Sequence, residues 1–169
     1  HEGTVCIAAV NTPSALVISG DEDAVLRLAA RFEAQGRRTR RLRVSHAFHS
    51  PRVDAMLAEF AAVAGTVSYA PPRIPLVSTV TGEPADQEQL SVPEYWAGQV
   101  RSPVRFADAA RRLAELGMTS FLELGADGVL SAAVRETLGD AAPLAGGPAL
   151  HRDQAEVPAV MSALARLHT

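Results

Sequence analysis

The stretch RRTRRLRVSHAFHSPRVDAM, residues 37–56, lies where a predicted strand gives way to a predicted helix. Its first half ends in alternating arginine and apolar residues, which predicts a strand over residues 37–45. Its second half contains Pro51, and proline is favoured at the first position of a helix because its missing N–H would have no partner there. Two histidines, His46 and His49, lie between the two elements, three residues apart. Their position raises the question of a reactive site.

The residues before this stretch complete a small α+β unit. Residues 4–10 and 15–20 are short apolar runs separated by turn-forming residues, so they predict a β-hairpin. Residues 21–36 begin with acidic side chains, carry apolar ones at helical spacing and end in glycine, which predicts a helix. With the strand of residues 37–45, the order is strand, strand, helix, strand.

Beyond residue 51, predicted helices alternate with short buried strands, as in an α/β layer. The predicted helices cover residues 51–64, the two sides of Pro103 within 91–117, 128–139 and 153–169. The predicted strands cover residues 73–82, 120–125 and 142–150. The sequence therefore predicts an α/β fold.

Composition limits the class of protein. The chain has 169 residues, a formal net charge of -3 and 47% hydrophobic residues, which predicts a globular protein without nucleic acid or membrane as a partner. It shows neither a signal peptide nor an apolar run of about 18 residues, so we expect a cytoplasmic location. Its lone cysteine, Cys6, lies in an apolar run and is interpreted as a small buried side chain. The chain does not begin with methionine, and we expect it to be a piece of a longer protein.

Three interpretations of His46 and His49 follow from the residues alone. They could be two metal ligands, but a metal site needs further ligands, and the nearby Asp54 and Glu59 fit an ordinary helix surface. One histidine could be a general base, which needs a nucleophile and an orienting acceptor elsewhere in the fold. The third interpretation is a structural histidine that caps the following helix. The spacing disfavours metal binding and leaves the other two equally open.

The residues around this pair carry a resemblance to a known family. VSHAFHSPRVDAMLAEF, residues 44–60, resembles the histidine motif of the acyltransferase domains of modular polyketide synthases. Further blocks agree with the family and follow its order: AAVNTPSALVISG, PLVSTVTG, YWAGQVRSPVRFADA and FLELGADGVLSAAV. ALHRDQAEVPAVMSALARLH, near the end, is similar to the family's last strand and the start of its linker.

The resemblance implies a fold in two parts. Residues 1–45 are expected to form most of a ferredoxin-like small subdomain, and residues 46–150 the C-terminal part of an α/β-hydrolase-like core. Residues 151–169 would form a helix leading to the linker that follows the domain. The family's serine nucleophile lies in a G-H-S-x-G elbow, which this sequence lacks, so we expect the chain to be the C-terminal portion of the domain. Alone, it is expected to be inactive.

The resemblance also implies the reaction and its participants. The family transfers an acyl group from coenzyme A to a serine and then to the phosphopantetheine thiol of an acyl carrier protein. His49 would be the general base, oriented by the backbone carbonyl of Thr79 in the loop STVTG, where the family usually has asparagine. No metal or permanently bound cofactor is implied, and malonyl-CoA would be the substrate. The expected partners are the N-terminal part of the same domain, present as a second polypeptide, the carrier protein and an adjacent ketosynthase.

Substrate choice is expected to depend on the other residues of the HAFH motif. In this family HAFH marks enzymes that load malonyl units, whereas YASH marks those that prefer methylmalonyl. Phe48 would fill the space that a serine leaves for the α-methyl group, with His46 and Ala47 shaping the same wall. Asn11 would line the cleft near the pantetheine arm, although a turn-forming asparagine explains it equally well.

Two further points stay open in the sequence. The five arginines within residues 37–43 could steer an acidic carrier protein towards the site, but charges that protect an edge strand explain them better. The function could also be that of a stand-alone malonyl transacylase of fatty-acid synthesis, or that of a non-catalytic scaffold domain.

Overall fold

The computed structural model describes residues 4–139 and 145–168, which form a mixed α/β arrangement. The helices are α1 (Glu22–Ala34), α2 (Asp54–Ala64), α3 (Gln87–Leu90), α4 (Pro93–Arg101), α5 (Phe106–Glu115), α6 (Val129–Leu138) and α7 (Glu156–Leu167). The strands are β1 (Val5–Val10), β2 (Leu16–Gly20), β3 (Leu76–Val77), β4 (Pro84–Ala85), β5 (Ser120–Glu123) and β6 (Ala145–Pro148). A short 3₁₀ helix, Pro51–Val53, leads directly into α2. The predicted α/β class is therefore confirmed.

The strands of the described residues pair two by two. β1 and β2 form the predicted antiparallel hairpin, β3 and β4 a second antiparallel pair, and β5 and β6 a parallel pair. Gly20 ends the hairpin with a φ of 149°, and a Cβ at this position would lie 2.0 Å from the carbonyl oxygen of Thr4. Only glycine fits such a close approach between two backbones.

The strand predicted over residues 37–45 is wrong. In the described structure, residues 37–44 have no regular secondary structure, and the run continues exposed to solvent as far as His46. Leu42 and Val44, expected on a buried strand face, are 49% and 69% exposed. A strand is stabilised by hydrogen bonds to a neighbouring strand, and no described strand lies alongside this run. The strand predicted over residues 73–82 is likewise shorter, because only β3 finds a partner there.

The other predicted elements are confirmed within one to a few residues. The helices on the two sides of Pro103 are α4 and α5, and the segment after the second histidine is the 3₁₀ helix followed by α2. The strand, turn and helix predicted over residues 120–139 are β5, a glycine-containing turn and α6. Part of the strand predicted over residues 142–150 lies outside the described residues, and β6 occupies the remainder.

The core is built mainly from small side chains. Its buried apolar residues are mostly alanines on α4 to α7, which let neighbouring helices approach closely: Ala97, Ala107, Ala109, Ala110, Ala133, Ala159 and Ala163. Many larger apolar side chains remain exposed, including Leu124 at 85% and Ile74 at 79%. An apolar groove of about 520 Å³ runs between β5 and α7. Exposed apolar area of this extent is unusual for a free monomer.

The link between α4 and α5 ties the helices to the hairpin. The N–H of Val104 donates to the carbonyl of Ala8 (2.8 Å), and the N–H of Val10 donates to the carbonyl of Val104 (2.9 Å). This parallel bridge fixes the end of α4 against the edge of β1. Within residues 4–139 and 145–168, no helix is both long enough and apolar enough to cross a membrane.

Candidate active site

The second histidine of the pair lies in a tight, well-anchored turn. The hydroxyl of the fully buried Ser50 donates to the carbonyl of Ala47 (2.6 Å) and accepts a hydrogen bond from the N–H of Arg52 (3.2 Å). Ser50 thus caps the 3₁₀ helix, as its position before a proline predicts. Between these residues the backbone of His49 adopts a left-handed conformation, with a φ of 58°.

Three hydrogen bonds hold His49. Its N–H donates to the carbonyl of Val100 (3.0 Å), and its Nδ1 lies 2.7 Å from the carbonyl oxygen of Ser102. Its own carbonyl accepts a hydrogen bond from the thiol of Cys6 (3.2 Å). Two of these partners belong to the end of α4 and the third to β1. The histidine is therefore fixed by residues that lie 43 to 53 positions away in the sequence.

The contact with Ser102 determines which ring nitrogen of His49 is able to accept a proton. A carbonyl oxygen can only accept a hydrogen bond, so Nδ1 of His49 must carry the hydrogen. In the neutral ring, Nε2 then holds the lone pair and can accept a proton. A histidine fixed in this way is chemically suited to general-base catalysis. The geometry is compatible with the general-base interpretation, which is one of the two that the sequence leaves open.

The expectation that the carbonyl of Thr79 orients the ring of His49 is wrong, because the ring contacts Ser102 instead. The carbonyl of Thr79 accepts a hydrogen bond from the N–H of Arg105 (2.7 Å), because the loop after β3 packs against the start of α5. His49 lies instead at the end of α4, where carbonyls lack helical partners. Pro103 ends that helix, and this signal in the sequence could have pointed to the free carbonyl of Ser102. The more general expectation of a backbone acceptor agrees with the structure.

The remaining residues of the HAFH motif lie at the surface of the described structure. The rings of His46 and Phe48 are 5.9 Å apart between centroids, and Phe48 is 47% exposed. Nδ1 of His46 is hydrogen-bonded to the hydroxyl of Ser45 (2.9 Å), whereas Ala47 is half-buried and uses its carbonyl in the turn described above. The structure thus brings these side chains together next to His49, with Phe48 facing open space.

Asn11 lies in the turn of the β-hairpin. Its N–H donates to the carbonyl of Ala15 (3.0 Å), as expected for a turn former. The adjacent Thr12 is buried, and its hydroxyl donates to the carboxylate of Glu136 on α6 (2.6 Å). The hydroxyl of Ser14 donates to the same oxygen, and these two hydrogen bonds lower the pKa of Glu136. The hairpin turn is thereby attached to α6.

Two ion pairs flank the turn that carries His49. Nε of Arg101 lies 2.6 Å from Oδ1 of Asp54, which joins the end of α4 to the start of α2. Arg52 pairs with Asp21, at the start of α1. Among residues 4–139 and 145–168, no three His, Cys, Asp or Glu side chains lie close enough together to share a metal ion.

The carboxylate of Glu123, at the end of β5, holds the turn between β5 and α6. The carboxylate of Glu123 accepts hydrogen bonds from the N–H groups of Leu130 (3.0 Å) and Ser131 (2.8 Å), and from the hydroxyl of Ser131 (2.8 Å). Partial burial raises the pKa of Glu123, but these hydrogen bonds favour the ionised form more strongly, and the pKa lies below its ordinary value. The negative charge also suits the N-terminus of a helix.

The sequence and the fold are similar to those of known proteins. The family described as "Acyl transferase domain" matches residues 1–169. The spectinabilin polyketide synthase system protein NorB of Streptomyces orinoci is 44% identical over 167 residues, which are 97% of this chain and 8% of NorB. This chain therefore spans less than a tenth of that relative.

Solved structures give the same result. The crystal structure of the acyltransferase domain from the second module of the salinomycin polyketide synthase superposes with a TM-score of 0.90 at 47% identity, covering 98% of this chain and 38% of that one. The acyl transferase domain of SpnD, solved with 2-(pent-4-yn-1-yl)malonyl, superposes with a TM-score of 0.93 at 36% identity. The alignment covers 99% of this chain and 41% of the SpnD chain.

Proposed function

Because this chain belongs to the acyl transferase domain family and covers part of such a domain, we propose that it supplies the histidine half of an acyl-transfer site in a polyketide synthase. The observation that carries the proposal is the hydrogen bond of 2.7 Å between Nδ1 of His49 and the carbonyl of Ser102. It leaves Nε2 as the base, in the role that histidine has beside a serine nucleophile.

The proposed reaction has two halves. Nε2 of His49 takes the proton from the hydroxyl of a serine on the N-terminal part of the same domain, and the serine oxygen attacks the thioester carbonyl of malonyl-CoA. The C–S bond breaks, and the leaving thiolate receives the proton from Nε2. In the second half, His49 takes the proton of the phosphopantetheine thiol of an acyl carrier protein, and the sulfur attacks the serine ester. The serine leaves with that proton.

The proposal includes a partner polypeptide that covers the exposed apolar surface of this chain. The exposed side chains of Leu124 and Ile74 and the apolar groove beside α7 support an interface with the N-terminal part of the domain. We place the small ferredoxin-like subdomain at residues 1–45, the C-terminal part of the hydrolase-like core at residues 46–150, and the helix towards the linker at residues 151–169. Without that partner the chain is expected to be inactive.

Malonyl-CoA is the proposed donor. Phe48 lies beside His49 in sequence and projects into open space, where its bulk would meet a substituent on C2 of the malonyl group. The SpnD domain was solved with a substituted malonyl group, which supports a donor of the malonyl type. Excluding one methyl group is worth about 1–3 kcal/mol, or roughly 10- to 200-fold in selectivity. His46, whose ring lies beside that of Phe48, would support this wall.

Intact-mass spectrometry tests the proposal. The complete domain is incubated with malonyl-CoA or methylmalonyl-CoA, and its mass is compared with that of His49→Ala. We expect a malonyl adduct on the serine of the N-terminal part in the parent protein and none in the variant, with this chain alone unmodified. A His49→Ala variant that acquires the adduct at the parent rate would disprove the role of the histidine.

Phe48→Ser isolates the question of selectivity. We expect it to raise the ratio of methylmalonyl to malonyl loading by about tenfold. His151→Ala is the control, because His151 is far in sequence from the motif and is not part of the proposed site. An unchanged ratio in Phe48→Ser would refute the role of Phe48 while leaving that of His49 intact.

The carrier protein and an adjacent ketosynthase are the further proposed partners. The arginines at positions 37–43 form an exposed, irregular segment, and within the described residues Arg41 is the member that forms an ion pair, with Glu22 (2.5 Å). Arg38→Ala combined with Arg40→Ala tests whether this segment steers an acidic carrier protein. A loss of association rate that disappears at high salt would support steering, and unchanged kinetics at low salt would leave the segment a solvated surface.

A further inference from the structure

The backbone of His49 is in a conformation that costs energy to maintain. With a φ of 58°, it is the non-glycine residue of the described chain that adopts a left-handed backbone conformation. Such residues persist when the surrounding contacts over-determine them, and they concentrate at active sites. Each of the three hydrogen bonds of His49 could therefore be one that maintains this backbone conformation.

The third of these partners, the thiol of Cys6, is the one contributed by a side chain. Its Sγ lies 3.2 Å from the carbonyl oxygen of His49 and 3.4 Å from that of Ser19, its neighbour across the hairpin. A thiol has one hydrogen to donate, and the shorter distance favours His49. The carbonyl of Ser19 belongs to the edge of a paired strand, so the contact with His49 is the one that joins different parts of the fold.

The contact closes a ring of connections around the histidine. β1 carries Cys6 and also bridges to Val104 through two backbone hydrogen bonds. Val104 follows Ser102 by two residues, and Ser102 accepts the hydrogen bond from the ring of His49. β1 is therefore connected to His49 in two ways: through Val104 and Ser102 to the imidazole ring, and through the thiol of Cys6 to the backbone carbonyl. Removing the thiol opens the ring at the peptide group that follows His49.

We infer that Cys6 is a positioning residue for the catalytic histidine. Its thiol fixes the carbonyl of His49 and thereby the left-handed backbone that directs Nε2, without touching the substrate. The inference rests on the proposed function, in which Nε2 is the base. A displacement of the base of about 1 Å can cost on the order of a hundredfold in rate, so a partial release of one anchor of three is expected to cost about tenfold in kcat.

Three substitutions separate donation from packing. Cys6→Ser keeps a donor but loses volume, Cys6→Val keeps volume but loses the donor, and Cys6→Ala loses both. In the complete domain, we expect Cys6→Val and Cys6→Ala to lower kcat for loading by about tenfold with the KM for malonyl-CoA within about twofold of the parent value. Cys6→Ser is expected to retain most of kcat. Equal losses in Cys6→Ser and Cys6→Ala with a normal Cys6→Val would show a packing role and overturn the inference.

A spectroscopic readout keeps this test independent of activity. Nitrogen-15 spectra of the His49 ring distinguish the two neutral tautomers, and we expect the Nδ1–H form alone in the parent protein and in Cys6→Ser. Cys6→Val is expected to show both forms, because the ring is less firmly held against Ser102. A single Nδ1–H form with a parental kcat in Cys6→Val would overturn the inference. If His49→Ala retained activity, the proposed function would fail, and the tautomer spectra would still decide the role of the thiol.

Discussion

Ser50→Ala is expected to destabilise the domain more than any exposed serine substitution, for reasons that the structure makes explicit. The hydroxyl of Ser50 is fully buried and forms two hydrogen bonds, one donated to the carbonyl of Ala47 and one accepted from the N–H of Arg52. The first closes the turn that contains His49, and the second caps the helix that follows it. Alanine can form neither of them.

The size of the effect follows from these two losses. Replacing a serine at a helix cap by alanine costs about 1 kcal/mol. Leaving the half-buried carbonyl of Ala47 without its donor adds about 1 kcal/mol, the lower end of the cost of an unpaired buried polar group. The sum, about 2 kcal/mol, is a substantial part of the 5–15 kcal/mol or so by which folded proteins are typically stable.

Urea unfolding of the complete domain measures this difference. The matched control is Ser91→Ala, because the half-buried Ser91 makes a single hydrogen bond with its hydroxyl, donated to the carbonyl of Gln87 (2.6 Å). We expect the control to lose no more than about 1 kcal/mol. Equal free energies of unfolding for the two variants would show that Ser50 does not hold the turn around His49.

Three further predictions concern stability. Gly20→Ala is expected to prevent folding because its Cβ would lie 2.0 Å from a carbonyl oxygen, whereas Gly36→Ala, which also has a positive φ but nothing within 4 Å, should cost about 1 kcal/mol; soluble yield and urea midpoints compare them. Because the folded-state pKa of Glu123 is lowered, its carboxylate adds stability above its ordinary pKa, and that stability is lost as the pH falls through the lower value. Urea midpoints should therefore fall below about pH 4.3 in the parent protein, and Glu123→Gln should be less stable at neutral pH and show a smaller fall. Asp54→Asn breaks the ion pair with Arg101, which is partly exposed, so a loss of more than about 1 kcal/mol in urea would contradict its assignment as a surface pair.

The helices were predictable because their signals are local. α1 has an acidic start and apolar residues at helical spacing, and the 3₁₀ helix before α2 begins at Pro51 after a serine cap. The break between α4 and α5 follows from Pro103. Each of these features lies within a few residues of the element that it defines, so the sequence contains the whole cause.

The strand predicted over residues 37–45 failed because the cause of a strand is not local. Leu42 and Val44 alternate with arginines as they would on an edge strand, but the backbone of this segment has no described strand as a neighbour. Alternation selects which face would be buried and says nothing of whether a partner is present. A partner strand for residues 37–45 would have to come from the proposed N-terminal part of the domain.

The candidate site likewise contains a part that is determined locally in the sequence and a part that is not. Its motif residues are adjacent in sequence, so the proximity of His46, Phe48 and His49 was predictable. The groups that hold His49 in place include Ser102 and Cys6, which lie 53 and 43 residues away. Pro103 signals that α4 ends at Ser102, but not that His49 lies against that end. A lone cysteine in an apolar run is indistinguishable from a core residue.

The same division explains why the acceptor for the His49 ring is the carbonyl of Ser102 and not the expected carbonyl of Thr79. The position of a backbone acceptor depends on the course of the chain and hardly at all on the side chain of that residue. The threonine in the STVTG loop therefore does not indicate where the acceptor lies. What fixes the acceptor is how α4 ends: Ser102 leaves the helix with a ψ of 152°, because Pro103 disfavours a helical conformation in the residue before it. The carbonyl of Ser102 is thereby freed for the imidazole, and the bridge of Val104 to β1 holds it in place. The backbone and the ring of His49 are thus held by a helix end and a strand edge, both distant from the HAFH motif in the sequence.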